Sequence, residues 1–243
     1  MPNLGIQLYS IHEIDDDTAT VLDRVGKTAL DGVEFFRLTD ATAAAESLDR
    51  NGLDVAGAHV GLSALEDDFE ETVDAWSGLG VDRFVVPWAE PERFESREAV
   101  ETLASRLSAV ADDLDDQGYE LHYHNHDQEL VELGDGDDYA LDALAAAAPN
   151  VGLELDLGWA GAAGADPLSL VETYADRIDL LHVKGYDAET GGPAKVGEGD
   201  LDLDGVRAAA DEHDVEWLVY ESEGAPDTYD TVDHAGDVMS SLR

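Results

Sequence analysis

Short apolar runs alternate along the chain with longer stretches in which apolar positions recur every three or four residues. The runs LGIQLY (4–9), GVEFF (32–36), LDVAGAHV (53–60) and RFVVPW (83–88) are rich in β-formers and read as strands. YELHYH (119–124), VGLELDL (151–157), IDLLHVK (178–184) and EWLVYE (216–221) read the same way. The intervening patterns are helical. The longest, SREAVETLASRLSAVADDLDDQG, opens on a capping serine and closes on a glycine that terminates it. Strand starts recur roughly every 20–40 residues, the spacing of βα units. Eight strands, each followed by a helix, predict an α/β chain folded as one (β/α)8 barrel over residues 1–243. A doubly wound sheet is the alternative, but the first βα turn, YSIHEIDDDT, has no glycine-rich phosphate loop. No stretch rich in Pro, Gly or Ser divides the chain, so a single domain is expected.

In such a barrel the active site lies at the C-terminal ends of the strands. Those ends carry Tyr9 and His12, Glu34, His59, Trp88, a histidine cluster, Asp156, His182 with Lys184, and Glu221. Polar groups that close apolar strands point to a site, because random decoration would fall on helices. The cluster LHYHNHDQEL holds three of the chain's eight histidines, His122, His124 and His126. Strand alternation puts His122 and His124 on one face, with His124 nearest the mouth and His126 just beyond it. The same parity pairs Glu154 with Asp156 and His182 with Lys184. An imidazole from strand five, a carboxylate from six, an imidazole from seven and a carboxylate from eight would form a mixed N/O divalent metal site. The competing reading makes the histidines core residues and the acids surface charge.

Charge changes the picture of habitat more than of chemistry. Fifty-seven acidic residues face 13 basic ones, for a formal net charge of −44, and Lys27, Lys184 and Lys195 are the only lysines. The acids are spread over nearly every predicted helix instead of forming a tail. Such a chain repels nucleic acid and anionic membranes, and concentrated salt relieves its self-repulsion. We read it as adaptation to a high-salt cytosol of the halophilic archaeal kind. The absence of cysteine excludes disulfides and thiolate chemistry. MPNLGIQLYS has no basic n-region or apolar h-region, and ALAAAAP is too short to span a bilayer, so a cytoplasmic protein is expected.

The motifs GIQLYS, GVEFF, YHNHDQEL, LELDLGWA, DRIDLLHVKG, VGEGDLD and LVYESE, in this order, resemble the sugar phosphate isomerase/epimerase family of xylose isomerase-like TIM barrels. That family is related to endonuclease IV and to family 2 of the AP endonucleases. The resemblance runs nearly end to end. It implies one divalent ion, manganese first with zinc, magnesium or cobalt as alternatives, held by His124, Asp156, His182 and Glu221. Two positions depart from the commonest pattern. His124 stands where many relatives carry a glutamate, which removes one carboxylate of a symmetrical two-base epimerase. Trp159, in DLGW, stands where a histidine is common, which argues against an endonuclease-like multi-zinc cluster.

The resemblance implies chemistry beside a carbonyl. An ion chelated by a ketose carbonyl and its neighbouring hydroxyl acidifies the α C–H bond and stabilises an enediolate. Glu221 is the expected base, with His126, Glu154 or Lys184 returning the proton or protonating a leaving hydroxyl. The outcome is isomerisation or epimerisation in the first case, and dehydration of a keto-sugar or inosose in the second. Glu34, His59, Trp88, Trp159 and Lys195 are expected to contact a small carbohydrate, and His122 to support its neighbours. An endonuclease IV-like enzyme and a non-catalytic sugar-binding barrel are the rivals; no basic stripe favours the first, and a complete ligand set disfavours the second. Homo-oligomerisation is left open. DLDLDGV (200–206) imitates a calcium loop, but it reads better as a loop and helix cap, and LGDGDDY as a turn before a helix.

Overall fold

Nine strands form among the described residues, and eight of them pair in parallel around a closed ring. The computed structural model describes residues 1–134 and 139–243, so most of the LGDGDDY turn lies outside the described residues. The strands are β1 (Asn3–Gln7), β2 (Gly32–Phe35), β3 (Asp54–His59), β4 (Arg83–Val86) and β5 (Glu120–His124). They continue as β6 (Gly152–Asp156), β7 (Ile178–Asp187), β8 (Gly192–Ala194) and β9 (Trp217–Glu221). Neighbours pair in sequence from β1 to β7, then β7 pairs with β9 and β9 with β1, which closes the barrel. This is the (β/α)8 barrel that the sequence predicts.

The strands are buried on both faces, as parallel strands between a core and a ring of helices must be. Outward-facing residues meet the helices. The longest helix, Arg97–Asp115, buries Val100, Leu103, Ala104, Leu107, Val110, Ala111 and Leu114 along one stripe. Its predicted serine cap is present: Ser96 Oγ accepts a hydrogen bond from the Ala99 amide at 3.2 Å. Ala56, Leu180, Trp217 and Val219 form a separate small apolar cluster. Part of the acidic charge is structural: Asp17, Asp40, Asp156, Asp166 and Asp202 each cap a helix N-terminus. Asp202 accepts from the Gly205 amide at 3.0 Å, and Asp200 accepts from the Ala188 amide at 2.8 Å, consistent with the loop-and-cap reading of DLDLDGV.

Three strand ends differ from the sequence reading by more than one residue. β1 stops at Gln7, whose side-chain oxygen accepts the Tyr9 amide at 3.0 Å and turns Leu8–Ile11 into a 3-10 helix. β4 stops at Val86 because Pro87 has no amide hydrogen to continue the ladder. β7 runs past Lys184 to Asp187 and folds back as a hairpin with β8. No helix among the described residues is long and apolar enough to cross a membrane.

Candidate metal centre and active site

Parallel register brings the candidate residues level with one another. His124 pairs with Glu154, Asp156 with His182, Lys184 with Glu221, and Gln7 with Glu34. Strand parity turns these side chains inward, where they stack in two tiers.

In the lower tier, Glu154 Oε2 lies 2.8 Å from His59 Nε2, 2.9 Å from His124 Nδ1 and 3.2 Å from His182 Nε2. Glu34 Oε2 lies 2.7 Å from His182 Nε2 and accepts a hydrogen bond from the Gln7 side-chain Nε2 at 2.8 Å. These carboxylates engage one nitrogen of each ring, so the other nitrogens of His124 and His182 are presented to the upper tier. There, Asp156 Oδ2 lies 3.9 Å from both His124 Nε2 and His182 Nδ1, and Glu221 Oε2 lies 3.0 Å from His182 Nδ1. The ligand atoms of His124, Asp156, His182 and Glu221 all fall within 4.8 Å of one another.

The upper tier fits a divalent ion. Donors about 2.1 Å from a tetrahedral ion sit about 3.4 Å apart, within the range of separations seen. Asp156 is fully buried, its Oδ1 accepts the Trp159 amide at 2.7 Å, and its Oδ2 has no hydrogen-bond partner. A buried carboxylate oxygen without a partner is costly unless a cation meets it. A second set, His59, His124, Glu154 and His182, is as close together. Glu34 Oε1 and Glu154 Oε1 also lack a hydrogen-bond partner, but the imidazole nitrogens of this set are already engaged by Glu154 Oε2 and Glu34 Oε2, so the lower tier serves better as support for the upper one.

Electrostatics point the same way. Burial opposes charge on His182, but Glu154 and Glu34 overcome it and raise the imidazole well above its ordinary range. Burial likewise opposes charge on His59, yet Glu34 and Glu154 raise it to about 10. Burial pushes Glu154 up, but His182 and His59 hold it well below the usual carboxylate range. Burial also opposes the charged form of Glu221, which Lys184 and His182 nevertheless hold low. Burial raises Asp156 against the pull of Lys184 and His124. The surrounding carboxylates favour positive charge on His59 and His182, a charge that a divalent ion could supply in exchange for protons.

Above the tiers opens a cavity of about 510 Å³, within the range of small-molecule sites. His59, His124, His126, Glu221 and Glu223 face it, and Tyr9, Phe36, Trp88 and Trp159 supply aromatic wall. His126 packs edge-on to Trp88 and His124, with ring centroids 4.8 and 4.9 Å away. Burial and the neighbouring His124 lower it to about 2, so its ring is neutral at physiological pH. Lys184 Nζ lies 2.6 Å from Glu223 Oε1, 3.5 Å from Glu221 Oε2 and 4.5 Å from the Trp159 ring centroid. Gly158 makes room for it: a Cβ there would sit 2.6 Å from the Lys184 carbonyl oxygen.

Of the residues singled out from sequence, His59, Trp88, His124, His126, Trp159 and Glu221 line the cavity. Asp156, His182, Lys184, Glu34 and Glu154 lie buried around or beneath its floor. Lys195 is not among the lining residues and pairs with Glu198 at 3.2 Å. His122 has no bond to the site; its Nε2 lies 3.4 Å from Glu120 and 3.6 Å from Asp179. Its ring fills the space beside Gly152, where a Cβ would fall 2.4 Å from Cε1. Three contributors went unremarked in the sequence reading. Phe36 is the last residue of GVEFF, Glu223 follows Glu221 by two, and Glu129 accepts the His126 amide at 2.7 Å and the Tyr123 hydroxyl at 2.6 Å. The Glu129 signal was its place three residues after His126, at the turn that ends the strand.

Comparison with known proteins places this geometry. No curated protein matches the sequence. Among solved structures, a sugar phosphate isomerase/epimerase from Parabacteroides distasonis ATCC 8503 superposes with a TM-score of 0.84 at 19% identity, covering 99% of this chain and 94% of that one. The probable 3-DHS dehydratase AsbF, involved in petrobactin synthesis in Bacillus anthracis, superposes with a TM-score of 0.75 at 14% identity over 99% of both chains. An AP endonuclease, family 2, from Brucella melitensis does so with a TM-score of 0.72 at 18% identity, over 96% of this chain and 97% of that one. At these identities the likeness is one of fold. The family model for the xylose isomerase-like TIM barrel matches residues 22–242. The motif order, the closed parallel barrel and this match together place the chain in the xylose isomerase-like TIM barrel family.

Proposed function

We propose that the chain is a metal-dependent isomerase or epimerase of a small carbohydrate, acting at a carbon next to a carbonyl. The observation that carries this reading is the buried Asp156 Oδ2, which accepts no hydrogen bond and is set among His124, His182 and Glu221, with Lys184 Nζ 3.9 Å away. Those four residues would hold one divalent ion, manganese before zinc, magnesium or cobalt. When bound, the ion acts as a Lewis acid that polarises the substrate carbonyl and stabilises negative charge developing beside it.

The protein's own groups divide the proton work. Glu221, paired with His182 and Lys184 and facing the cavity, would serve both as ligand and as the base that takes the α-proton. His126 lines the cavity too, but burial and His124 hold its ring neutral and weakly basic, so it would meet a substrate hydroxyl without taking the α-proton. Lys184, kept as an ammonium by Glu221, Asp156 and Glu223, lies beneath the floor and would return a proton through Glu223, which lines the cavity. Glu154 lies beneath the imidazoles and acts through them. Trp88 and Trp159 supply an aromatic wall on which the substrate's carbon skeleton would lie.

The contact between Lys184 and Glu223 also supports a second reading, dehydration, in which Glu223 passes a proton from Lys184 to a departing hydroxyl. The likeness in fold to a probable dehydratase is consistent with it. The test is elemental analysis of protein purified in concentrated salt, beside Asp156→Ala, followed by solvent deuterium exchange into ketoses and inososes. One ion per chain, lost in the variant, with exchange that Glu221→Gln abolishes, is the expected result. No bound ion after adding metal back would overturn the reading, and two or three zinc ions would favour the endonuclease type.

A further inference from the structure

We infer that the substrate is uncharged: a polyhydroxylated ring or chain without a phosphate, selected by stacking on Trp88 and by a cavity that offers a phosphate no cation. This rests on the reading of the site as one for carbohydrate, and not on which reaction follows.

A phosphate monoester carries about −1.5 to −2 charges at pH 7 and is bound by guanidinium or ammonium groups that reach its oxygens. The chain has only 13 lysines and arginines. None of them lines the cavity among the described residues, and residues 135–138 are Asp-Gly-Asp-Asp by sequence, so they add none. Lys184 lies closest beneath the floor, but it is 3% exposed and already carries Glu223 at 2.6 Å. Arg37 follows the wall residue Phe36, yet its guanidinium is turned onto the Ile14 carbonyl oxygen at 3.0 Å and stacks 5.0 Å from the Phe36 ring. The charged groups that do line the cavity besides the histidines are Glu221 and Glu223, both acidic. Concentrated salt would screen long-range repulsion, but it supplies no directional donor at contact.

What the cavity does offer is apolar area next to hydrogen-bonding groups. Trp88 is 49% exposed and Tyr9 40% exposed, which leaves aromatic surface free for the apolar face of a ligand. Both line the cavity, where a ring's C–H face can lie on the indole while hydroxyls reach Glu223 and His59.

The test compares matched pairs, D-fructose with D-fructose 6-phosphate and myo-inositol with its 1-phosphate, on the full manganese-loaded chain in concentrated potassium chloride. Binding is read by calorimetry and by tryptophan fluorescence. The ion's own charge favours the phosphorylated partner, so preference for the neutral one would come from the protein. We expect the neutral member of at least one pair to bind ten times or more tighter than its phosphate, and Trp88→Ala to weaken that binding up to about tenfold. Equal or tighter binding of the phosphates, binding of neither member of both pairs, or neutral binding untouched by Trp88→Ala would overturn the inference. Neutral binding without solvent exchange in any ligand would refute the isomerase reading and leave this inference standing. Exchange with phosphorylated sugars alone would do the reverse.

Discussion

Replacing Glu154 with glutamine separates the two tiers of the site. The carboxylate is fully buried and its Oε2 meets His59 at 2.8 Å, His124 at 2.9 Å and His182 at 3.2 Å. Glutamine keeps the shape and turns charge-assisted bonds into neutral ones. Each such exchange loses about 1 kcal/mol, from the difference between roughly 1.5–3 and roughly 1. Removing a carboxylate that orients ligating histidines typically weakens metal affinity about 10–100-fold, or about 1.4–2.8 kcal/mol, which is consistent with that loss spread over two ligand rings. The assay is competition with a chromophoric chelator in concentrated salt, run beside Asp156→Ala. The expected result is affinity 10–100-fold below the parent with one ion still bound. An unchanged affinity would mean that Glu154 does not orient the rings. A loss as complete as that of Asp156→Ala would make Glu154 a ligand, and the lower tier the true centre.

Three further outcomes follow from the same structure. In metal-free protein held in chelator, His59 is raised to about 10 between Glu34 and Glu154, so it contributes stability in full below its ordinary value near 6.5 and loses it as pH rises through about 10; denaturation midpoints from pH 6 to 10.5 should fall, and a flat profile would refute the pairing. Gly152→Ala forces a Cβ to within 2.4 Å of the His122 ring, costing about 1–3 kcal/mol by overpacking, and the double variant with His122→Ala should recover most of it in a double-mutant cycle. With a net charge of −44, the melting temperature should climb steadily between 0.1 and about 3 M potassium chloride as the Debye length shrinks from about 10 Å to a few ångströms; no rise would sink the high-salt reading of the composition.

Much of the fold was legible because parallel strands buried on both faces leave uninterrupted apolar runs, and eight such runs separated by helical periods have few arrangements open to them. Period-two alternation also showed which side chains share a face, so Asp156 with Glu154 and Lys184 with His182 could be read from spacing alone. Height along the barrel axis was not legible. His122 shares a face with His124 but sits two residues lower, about 7 Å along the strand. That places it with Glu120 and Asp179, out of reach of the site. Lys195 seemed well placed by its scarcity and loop position, yet the β7–β8 hairpin, which no local pattern announced, hands it to Glu198.

The sequence by itself determined the barrel, the order of the strands and the kinds of group that close them, because these depend on periodicity and on short-range turn chemistry. Only the tertiary structure decided which nitrogen each imidazole presents. That choice is made by Glu154 and Glu34, 30 and 148 residues away from the rings they engage. Barrel closure and strand register bring those carboxylates to hydrogen-bonding distance, and no local stretch of sequence encodes a contact between strands so far apart along the chain.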